Sequence, residues 1–439
     1  MRSHVDLPVT NNLLTAGARP RECPDCGLVQ LVPAVRPGEV AHCVRCSKVL
    51  RRGRPNPLQW PLALGLTGTM LLLIALLEPL LDVSTVGIYR QASLVSGAVR
   101  LDAHGLWEVA AVVVFTTMAA PLAHLFGTSW VLLNLRLGLA PPYLARLFAI
   151  ARRLRPWSMI EVFLVGLFVA YTRLRELVYI QTGPALWALV ALMLVTIGVD
   201  ALLDPESVWQ VIERRRPAST PSPTDHGAAE RVGCDSCHAL VDRGRTSTCP
   251  RCGARLYPRK PRSIQRTWAL AIAALILYIP ANTYPVLTYT QFGFGSPSTI
   301  LGGARELLDD GQWPLALIVF LASVAVPVLK LLSLFIMLIA TQLGSATRLH
   351  DRTVLYRIVE VIGRWSMIDI FVETVLVALV QFGGIVSIEP GVGSIAFASV
   401  VILTMLAAQS FDPRLMWDAA AARASRAGQT SSRLANNAG

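Results

Sequence analysis

Two kinds of residue in this 439-residue chain could do chemistry: eight cysteines in four Cys-x-x-Cys pairs, and a sparse set of ionisable and hydroxyl side chains set inside apolar runs. Cys23/Cys26 and Cys43/Cys46 form one set, with sixteen residues between the pairs. Cys234/Cys237 and Cys249/Cys252 form a second, with an eleven-residue loop, shorter than the commonest ribbon spacing. Each pair lets two thiolates reach one tetrahedral ion at about 2.3 Å, and four thiolates close the site to substrate. The pattern is that of two zinc ribbons, one structural ion each. Disulfides are the competing reading, disfavoured because both segments are basic and read as facing a reducing compartment. Rubredoxin-like iron and a thiol redox pair are the other uses the spacing permits. All eight cysteines are consumed, so none is left as a catalytic thiol. His42 and His238 sit beside ligand cysteines and read as surface residues.

The second set centres on Trp365-Ser366-Met367-Ile368-Asp369-Ile370-Phe371, which opens an apolar run yet carries an acid. Trp157-Ser158-Met159-Ile160-Glu161-Val162-Phe163 is a near copy. In both, the acid follows the Ser by three residues, so on a helix hydroxyl and carboxylate share a face. Glu373 extends that face in the second copy only. An ionisable group in a membrane span costs roughly 2.5 to 3.5 kcal/mol on insertion scales and normally faces the bundle interior; the plainer alternative is an acid near a helix end, reaching the headgroups. Lys330, with Ser323 two turns earlier, falls at the depth of Asp369 and Thr404 when counted inwards at about 1.5 Å per residue. Matched depth suggests a Lys330–Asp369 pair sharing one ionisation, either a clasp between helices or a proton relay. The first half has His124 where Lys330 would align, with Ser158, Glu161, Thr196 and Asp200.

Positioning these groups requires a membrane bundle. Hydrophobic residues make up 53% of the chain and charged residues 15%, against about a quarter charged in soluble domains. The reading is an all-α polytopic membrane protein made of two parallel repeats of four transmembrane helices, each preceded by a small cytoplasmic zinc ribbon. Its parts are ribbon 1 (1–57), transmembrane repeat 1 (58–203), a linker and ribbon 2 (204–266), repeat 2 (267–411) and a disordered cytoplasmic tail (412–439). The eight spans are Trp60 to Leu81, Leu106 to Leu135, Trp157 to Ile180, Pro184 to Leu203, Trp268 to Tyr289, Trp313 to Thr341, Ser366 to Ile388 and Gly393 to Phe411. Arg173, Arg175 and Glu176 crowd the outer end of the third. Each half closes on Asp-Pro, at Asp204-Pro205 and Asp412-Pro413, followed by Trp209 and Trp417. Four spans per half keep both ribbons on one side, as in parallel repeats about an axis along the membrane normal.

The net charge of +12 is concentrated in alternate loops, such as Arg146, Arg152, Arg153 and Arg155 and again Arg348, Arg352, Arg357 and Arg364. That is the positive-inside pattern and not the basic, aromatic-interleaved face of a nucleic-acid binder. No cleavable signal peptide is expected ahead of the first span. Residues 217–224 read as a Pro/Ser/Thr linker. Asn282-Thr283-Tyr284-Pro285 interrupts the fifth span, as a cavity-lining break or a simple helix end. Absence of GxxxxGK[ST], HExxH and GxSxG motifs argues against an ATPase, a zincin and a serine hydrolase.

Two Cys-x-x-Cys sets, each before four spans, the repeated Trp-Ser-Met-Ile-acid motif and Ile279-Pro280-Ala281-Asn282 together resemble the paraquat-inducible protein A family over nearly the whole chain. The resemblance implies a bacterial inner-membrane protein with both termini cytoplasmic, partnered by a periplasmic MCE-domain protein and moving phospholipid between the two membranes. It implies zinc on the eight cysteines and a polar network of Ser323, Lys330, Ser366, Asp369 and Thr404. His124 in place of Lys330, with Asp200 in the fourth span, suggests that one half transports and the other mainly scaffolds; the first half has Leu76-Leu77-Glu78-Pro79 near the place of Ile279–Asn282, so a function tied to that motif is not carried to it. A non-transporting anchor or metal- or redox-responsive regulator is the alternative.

Overall fold

The computed structural model of the protein describes residues 18–85, 88–175, 179–215, 231–242, 247–291, 294–309, 311–380 and 386–437. Residues 1–17, Glu176 and the linker 217–224 lie outside these. The first cysteine module is two antiparallel hairpins, β1 (Arg19–Glu22) with β2 (Val29–Val32) and β3 (Val40–His42) with β4 (Val49–Arg52). Next come α1 (Gln59–Leu77), β5 (Leu81–Thr85), β6 (Ile88–Ala92) and the short helix α2 (Ser96–Ala103). A long helix follows as α3 (Trp107–Val114), a π-helical turn Phe115–Ala119 and α4 (Ala120–Arg136). Then come α5 (Tyr143–Leu154), a 3-10 turn Arg155–Trp157, α6 (Ile160–Leu174), β7 (Tyr179–Thr182), α7 (Pro184–Leu202) and α8 (Pro205–Arg215).

The second module contributes the hairpin β8 (Arg231–Gly233) with β9 (Leu240–Asp242), and the order of elements then returns. α9 (Ser263–Thr283) leads to β10 (Leu287–Gln291), β11 (Phe294–Ser298) and α10 (Ile300–Asp309). α11 (Trp313–Phe320), a π-helical turn Leu321–Ala325 and α12 (Val326–Gln342) again form one long helix. α13 (Leu349–Ile362), a 3-10 turn Gly363–Met367, α14 (Ile368–Leu379), β12 (Val386–Pro390), α15 (Gly393–Ser410) and α16 (Arg414–Asn437) complete the chain.

Among the described residues, seven helical stretches are long and apolar enough to cross a bilayer: Gln59–Leu77, Trp107–Arg136, Tyr143–Thr172, Pro184–Leu202, Ser263–Thr283, Trp313–Gln342 and Gly393–Ser410. The expected span from Ser366 to Ile388 differs. Its helix, α14, has twelve residues, about 18 Å at 1.5 Å per residue, against roughly 30 Å of hydrocarbon. Asp369 and Glu373 dilute its apolar run, and α13 before it carries Asp351, Arg352, Arg357 and Glu360.

The bundle is centred on α6 against α14, one from each half, with α1 on α7 and α9 on α15 as flanking pairs. Phe163 and Phe371 meet edge to face with ring centroids 5.5 Å apart. Small residues allow this approach. A Cβ at Gly166 would lie 2.9 Å from Phe371 Cβ, and one at Gly97 on α2 would lie 2.5 Å from Thr374 Cγ2 and 3.0 Å from the Thr374 carbonyl oxygen. Gly97→Ala and Gly166→Ala should each cost about 1 to 3 kcal/mol through overpacking, read as a lower apparent unfolding temperature in detergent.

At one end of the bundle each half carries a three-stranded antiparallel sheet, ordered β6-β5-β7 and β11-β10-β12. The Asn282–Pro285 stretch is the helix end of the two alternatives. α9 continues to Thr283, and Gly393 N–H then donates to Pro285 O at 3.1 Å and Gly391 N–H to Val286 O at 2.7 Å. The tail read as disordered is helical, as α16, because Met416, Trp417 and Ala420 bury against the bundle and the Ala-rich continuation favours helix. Asp412 caps that helix by accepting from Arg414 N–H at 3.1 Å. Asp204 does the same for α8 through Glu206 N–H and Ser207 N–H, both at 3.3 Å. The Asp-Pro markers therefore start a helix as well as end a span.

Candidate functional site

Each cysteine set is built by two knuckles, turns closed by a backbone hydrogen bond across the pair. Gly27 N–H donates to Cys23 O, Ser47 N–H to Cys43 O, His238 N–H to Cys234 O and Gly253 N–H to Cys249 O, at 2.8 to 2.9 Å. Those four donors all sit at positive φ, 57 to 76°, which turns the chain sharply and points both sulfurs of a knuckle inwards. The Sγ atoms of each set lie within 4.8 Å of one another, with the closest inter-knuckle contacts at 3.5 to 3.6 Å. No two are joined as a disulfide. Ligands about 2.3 Å from a tetrahedral ion stand about 3.8 Å apart, so both sets fit one thiolate-bound ion each. Chelation of the intact protein should remove two ions per chain and unfold both ribbons, since metal binding supplies their folding energy. Metal analysis and circular dichroism before and after chelator check this.

The ribbons are exchanged between halves. Ribbon 1 precedes the first half in sequence but packs on the second: Cys23, Cys26, Cys43 and Cys46 share an apolar cluster with Leu334, Met337, Tyr356, Phe411 and Trp417. Ribbon 2 packs on the first half, with Val131, Leu135, Phe148, Val208 and Trp209. A matching stack marks both docks. Arg45, inside the Cys43/Cys46 pair, lies 4.2 Å from the Trp417 ring centroid, and Arg251, inside the Cys249/Cys252 pair, lies 5.5 Å from that of Trp209. Ion pairs reinforce the crossing. Glu206 on α8 binds Arg251 of ribbon 2 at 3.1 Å and Arg21 of ribbon 1, while Glu22 accepts from Gly233 N–H at 2.8 Å, joining ribbon to ribbon.

Within the bundle, the second half gathers some of the expected polar residues. Lys330 is 3% exposed; its Nζ donates to Thr404 Oγ1 at 3.0 Å and reaches Gly363 O at 3.5 Å. Among the described residues no ion pair joins Lys330 to Asp369, so the partners of the ammonium are neutral oxygens and not the carboxylate expected from depth. Thr404 Oγ1 in turn donates to Val401 O at 2.9 Å. Ser323 lies in the π-helical turn and donates to Val319 O at 2.6 Å. Such turns within helices occur frequently at functional sites. Glu373 is buried on α14 and accepts from Ser394 Oγ at the start of α15. The serine and acid of the repeated motif do not share one α-helix. Ser366 is buried in the 3-10 turn and Asp369 is half-buried in the first turn of α14; Ser158 precedes α6, and Glu161 is in its first turn.

The first half fills the equivalent place with an ion-paired cluster. His124 is fully buried; its Nδ1 donates to Ala151 O at 3.1 Å and its Nε2 faces Asp200 Oδ1 at 3.6 Å. Arg155 Nε lies 2.6 Å from the same oxygen. Arg155 stands two residues before the motif Trp, where the second half has Gly363. That glycine makes room for Lys330: a Cβ there would lie 3.0 Å from Nζ. Thr196, the counterpart of Thr404, donates only within its own helix, to Leu192 O. Sequence reading passes over Gly363 and takes Arg155 only as one of the basic loop residues. Setting the two motif copies side by side, with Lys330/Gly363 against His124/Arg155, is the signal that finds them.

The family model for paraquat-inducible protein A matches this chain twice, over residues 58–213 and 264–421. The intermembrane transport protein PqiA of Escherichia coli K12 is 33% identical over 402 residues, covering 90% of this chain and 95% of that protein. Lipophilic envelope-spanning tunnel protein A of the same organism is 32% identical over 91% of each chain. A probable intermembrane transport protein of Haemophilus influenzae is 27% identical over 90% of this chain and 95% of that one. No solved structure matches the chain.

Proposed function

Because this chain belongs to the paraquat-inducible protein A family, we propose that it is the inner-membrane component of an intermembrane phospholipid transport system, handing lipid to or from a periplasmic MCE-type tunnel. In this reading the chain is two parallel repeats of four membrane helices, α14 being the short member of the second. The ribbons and both termini are cytoplasmic, the two small sheets face the periplasmic partner, and each ribbon holds zinc. The observation that carries the reading is the buried Lys330, held by Thr404 and Gly363 in a protein whose relatives are named for intermembrane transport.

A cation held by neutral oxygens can give up its proton without leaving a buried carboxylate charge behind, which suits a group that changes state during a cycle. Proton coupling through Lys330, with Asp369 two residues beyond the Gly363–Met367 segment, is the finer proposal. The ion-paired His124–Asp200–Arg155 cluster suits a static scaffold. The alternative, an anchor or regulator that moves no lipid, is supported by the tight docking of both ribbons. Proteoliposomes holding this protein and its MCE partner separate the two: transfer of a fluorescent phospholipid that responds to a proton gradient supports transport, and transfer at the protein-free rate supports the anchor.

A further inference from the structure

Ribbon 1 is tied to the second half by one side chain that also contacts a metal ligand. Arg357 on α13 donates from Nε to Asp25 Oδ2 at 2.6 Å, and from Nη2 to Cys46 O at 2.8 Å and Cys46 Sγ at 3.3 Å. Asp25 lies between Cys23 and Cys26, and it also pairs with Lys48 at 3.3 Å. One guanidinium therefore holds both knuckles. α13 runs directly into the 3-10 turn whose first residue is Gly363, the residue beneath the Lys330 ammonium. Gly363 stands six positions after Arg357, about 9 Å of helix. The corresponding place in the first half is Ala149, which has no side chain able to donate to ribbon 2. Among the described residues, Arg146 of α5 packs against Gly253 of ribbon 2, but no α5 side chain is seen to hydrogen-bond a ribbon-2 cysteine as Arg357 does Cys46.

We propose that Arg357 is a positioning residue that couples metal occupancy of ribbon 1 to the geometry of the Lys330 site. With an ion bound, Cys46 and Asp25 are fixed relative to each other, and Arg357 is clamped between them. The clamp fixes α13 and, through it, the Gly363 carbonyl that Lys330 touches. Without the ion the two knuckles are no longer joined through their sulfurs, and the anchor for α13 is lost. The sulfur contact also works in the other direction. A hydrogen bond donated to a metal-bound thiolate belongs to the outer shell of the site, and loss of such partners typically lowers metal affinity about 10- to 100-fold. The assignment of Lys330 as the working group comes from the proposed transport function; the coupling itself is read by metal and by backbone exchange.

The test uses the full chain in lipid nanodiscs, loaded with zinc. Release to a chromophoric chelator is followed in wild type, Arg357→Gln and Arg357→Lys, with the two ribbons told apart in a Cys249→Ser background. Ribbon 1 of Arg357→Gln should release its ion at least about tenfold faster, ribbon 2 should be unchanged, and Arg357→Lys should fall between. Hydrogen exchange gives the second readout. Chelation of wild type should raise exchange across 357–367 but not across 149–159, and Arg357→Gln should show the raised exchange with zinc still bound. If Arg357→Gln does not fold, Asp25→Asn removes the clamp from the ribbon side and should accelerate release in the same ribbon. Equal release rates, or exchange across 357–367 indifferent to chelation, would overturn the coupling. A Lys330→Ala protein that moves lipid normally, with these exchange changes intact, would overturn only the transport reading of that site.

Discussion

Lys330→Ala should reduce phospholipid transfer to the protein-free rate while the variant inserts, accumulates and unfolds close to the wild-type temperature. The separation of function from stability follows from the partners of the ammonium. Removing one member of a buried ion pair costs about 3 to 5 kcal/mol because the other charge is left uncompensated. Lys330 has no such partner among the described residues; its contacts are the Thr404 hydroxyl and the Gly363 carbonyl. Truncation therefore forfeits a hydrogen bond worth about 1 kcal/mol net and the packing of the side-chain stem, and it removes the cost of burying a charge. Thr404→Val keeps the ammonium and deletes its best acceptor, so transfer should fall only in part. Gly363→Val would drive a side chain into the ammonium and should resemble Lys330→Ala in transfer. Paired measurements of transfer and thermal unfolding check all three.

The largest expected loss of stability is at Arg414→Ala, at the opposite extreme of charge pairing. Arg414 is 3% exposed and binds Asp412, itself 1% exposed, through two hydrogen bonds of 3.0 Å. It also binds Asp235 of ribbon 2 at 2.9 Å and Glu22 of ribbon 1 at 3.3 Å. One cation thus joins the end of the second half to both ribbons. Its removal leaves the buried Asp412 without its main counter-charge, while Glu22 keeps Arg259 at 2.9 Å, and should cost about 3 to 5 kcal/mol.

The pH dependence of that loss has a definite sign. Burial works against ionisation of Asp412, but the hydrogen bonds and charge of Arg414, with the Lys260 backbone N–H and charge, outweigh it and hold the carboxyl below its usual range. A depressed carboxyl contributes stability that is full above the unfolded value, about 3.9, and is lost as pH falls through the lower folded value. Without Arg414 burial dominates, the folded value rises, and protonation relieves the variant. The stability gap between wild type and Arg414→Ala should therefore be widest at neutral pH and narrow on acidification towards pH 4. Apparent unfolding temperatures of both proteins across that range check it.

The features readable from sequence were those with local or periodic signatures. The knuckles, the apolar runs and the repeated Trp-Ser-Met-Ile-acid motif are each contained within a few residues, and the turns at Gly27 and Gly253 need nothing distant to form. The exchange of ribbons has no local signature: Arg45 finds Trp417 and Arg251 finds Trp209 only once the halves are assembled. Counting depth from the loops placed Lys330 and Thr404 in one layer, and they touch. The same count gives height but not the direction a side chain leaves its helix, so it could not tell Thr404 from Asp369 as the partner. Treating the motif as one straight helix hid the 3-10 turn that puts Ser366 and Asp369 in different elements. The two small sheets escaped because their strands, such as Leu-Thr-Tyr-Thr-Gln at 287–291, are short and pair with a strand nearly a hundred residues away in sequence. α16 escaped because its burial depends on one face, around Trp417, meeting the bundle.

In the proposed function the two halves do unlike work, the neutral-partnered lysine of the second serving transport and the ion-paired cluster of the first serving architecture. The measurement that bears on it most directly is lipid transfer by Lys330→Ala and His124→Ala proteins, reconstituted at equal density with the proposed MCE partner. Transfer lost in the first and largely kept in the second, whose deficit appears as a lower unfolding temperature, is the predicted result. Equal loss of transfer in both, or undiminished transfer in Lys330→Ala, would contradict it.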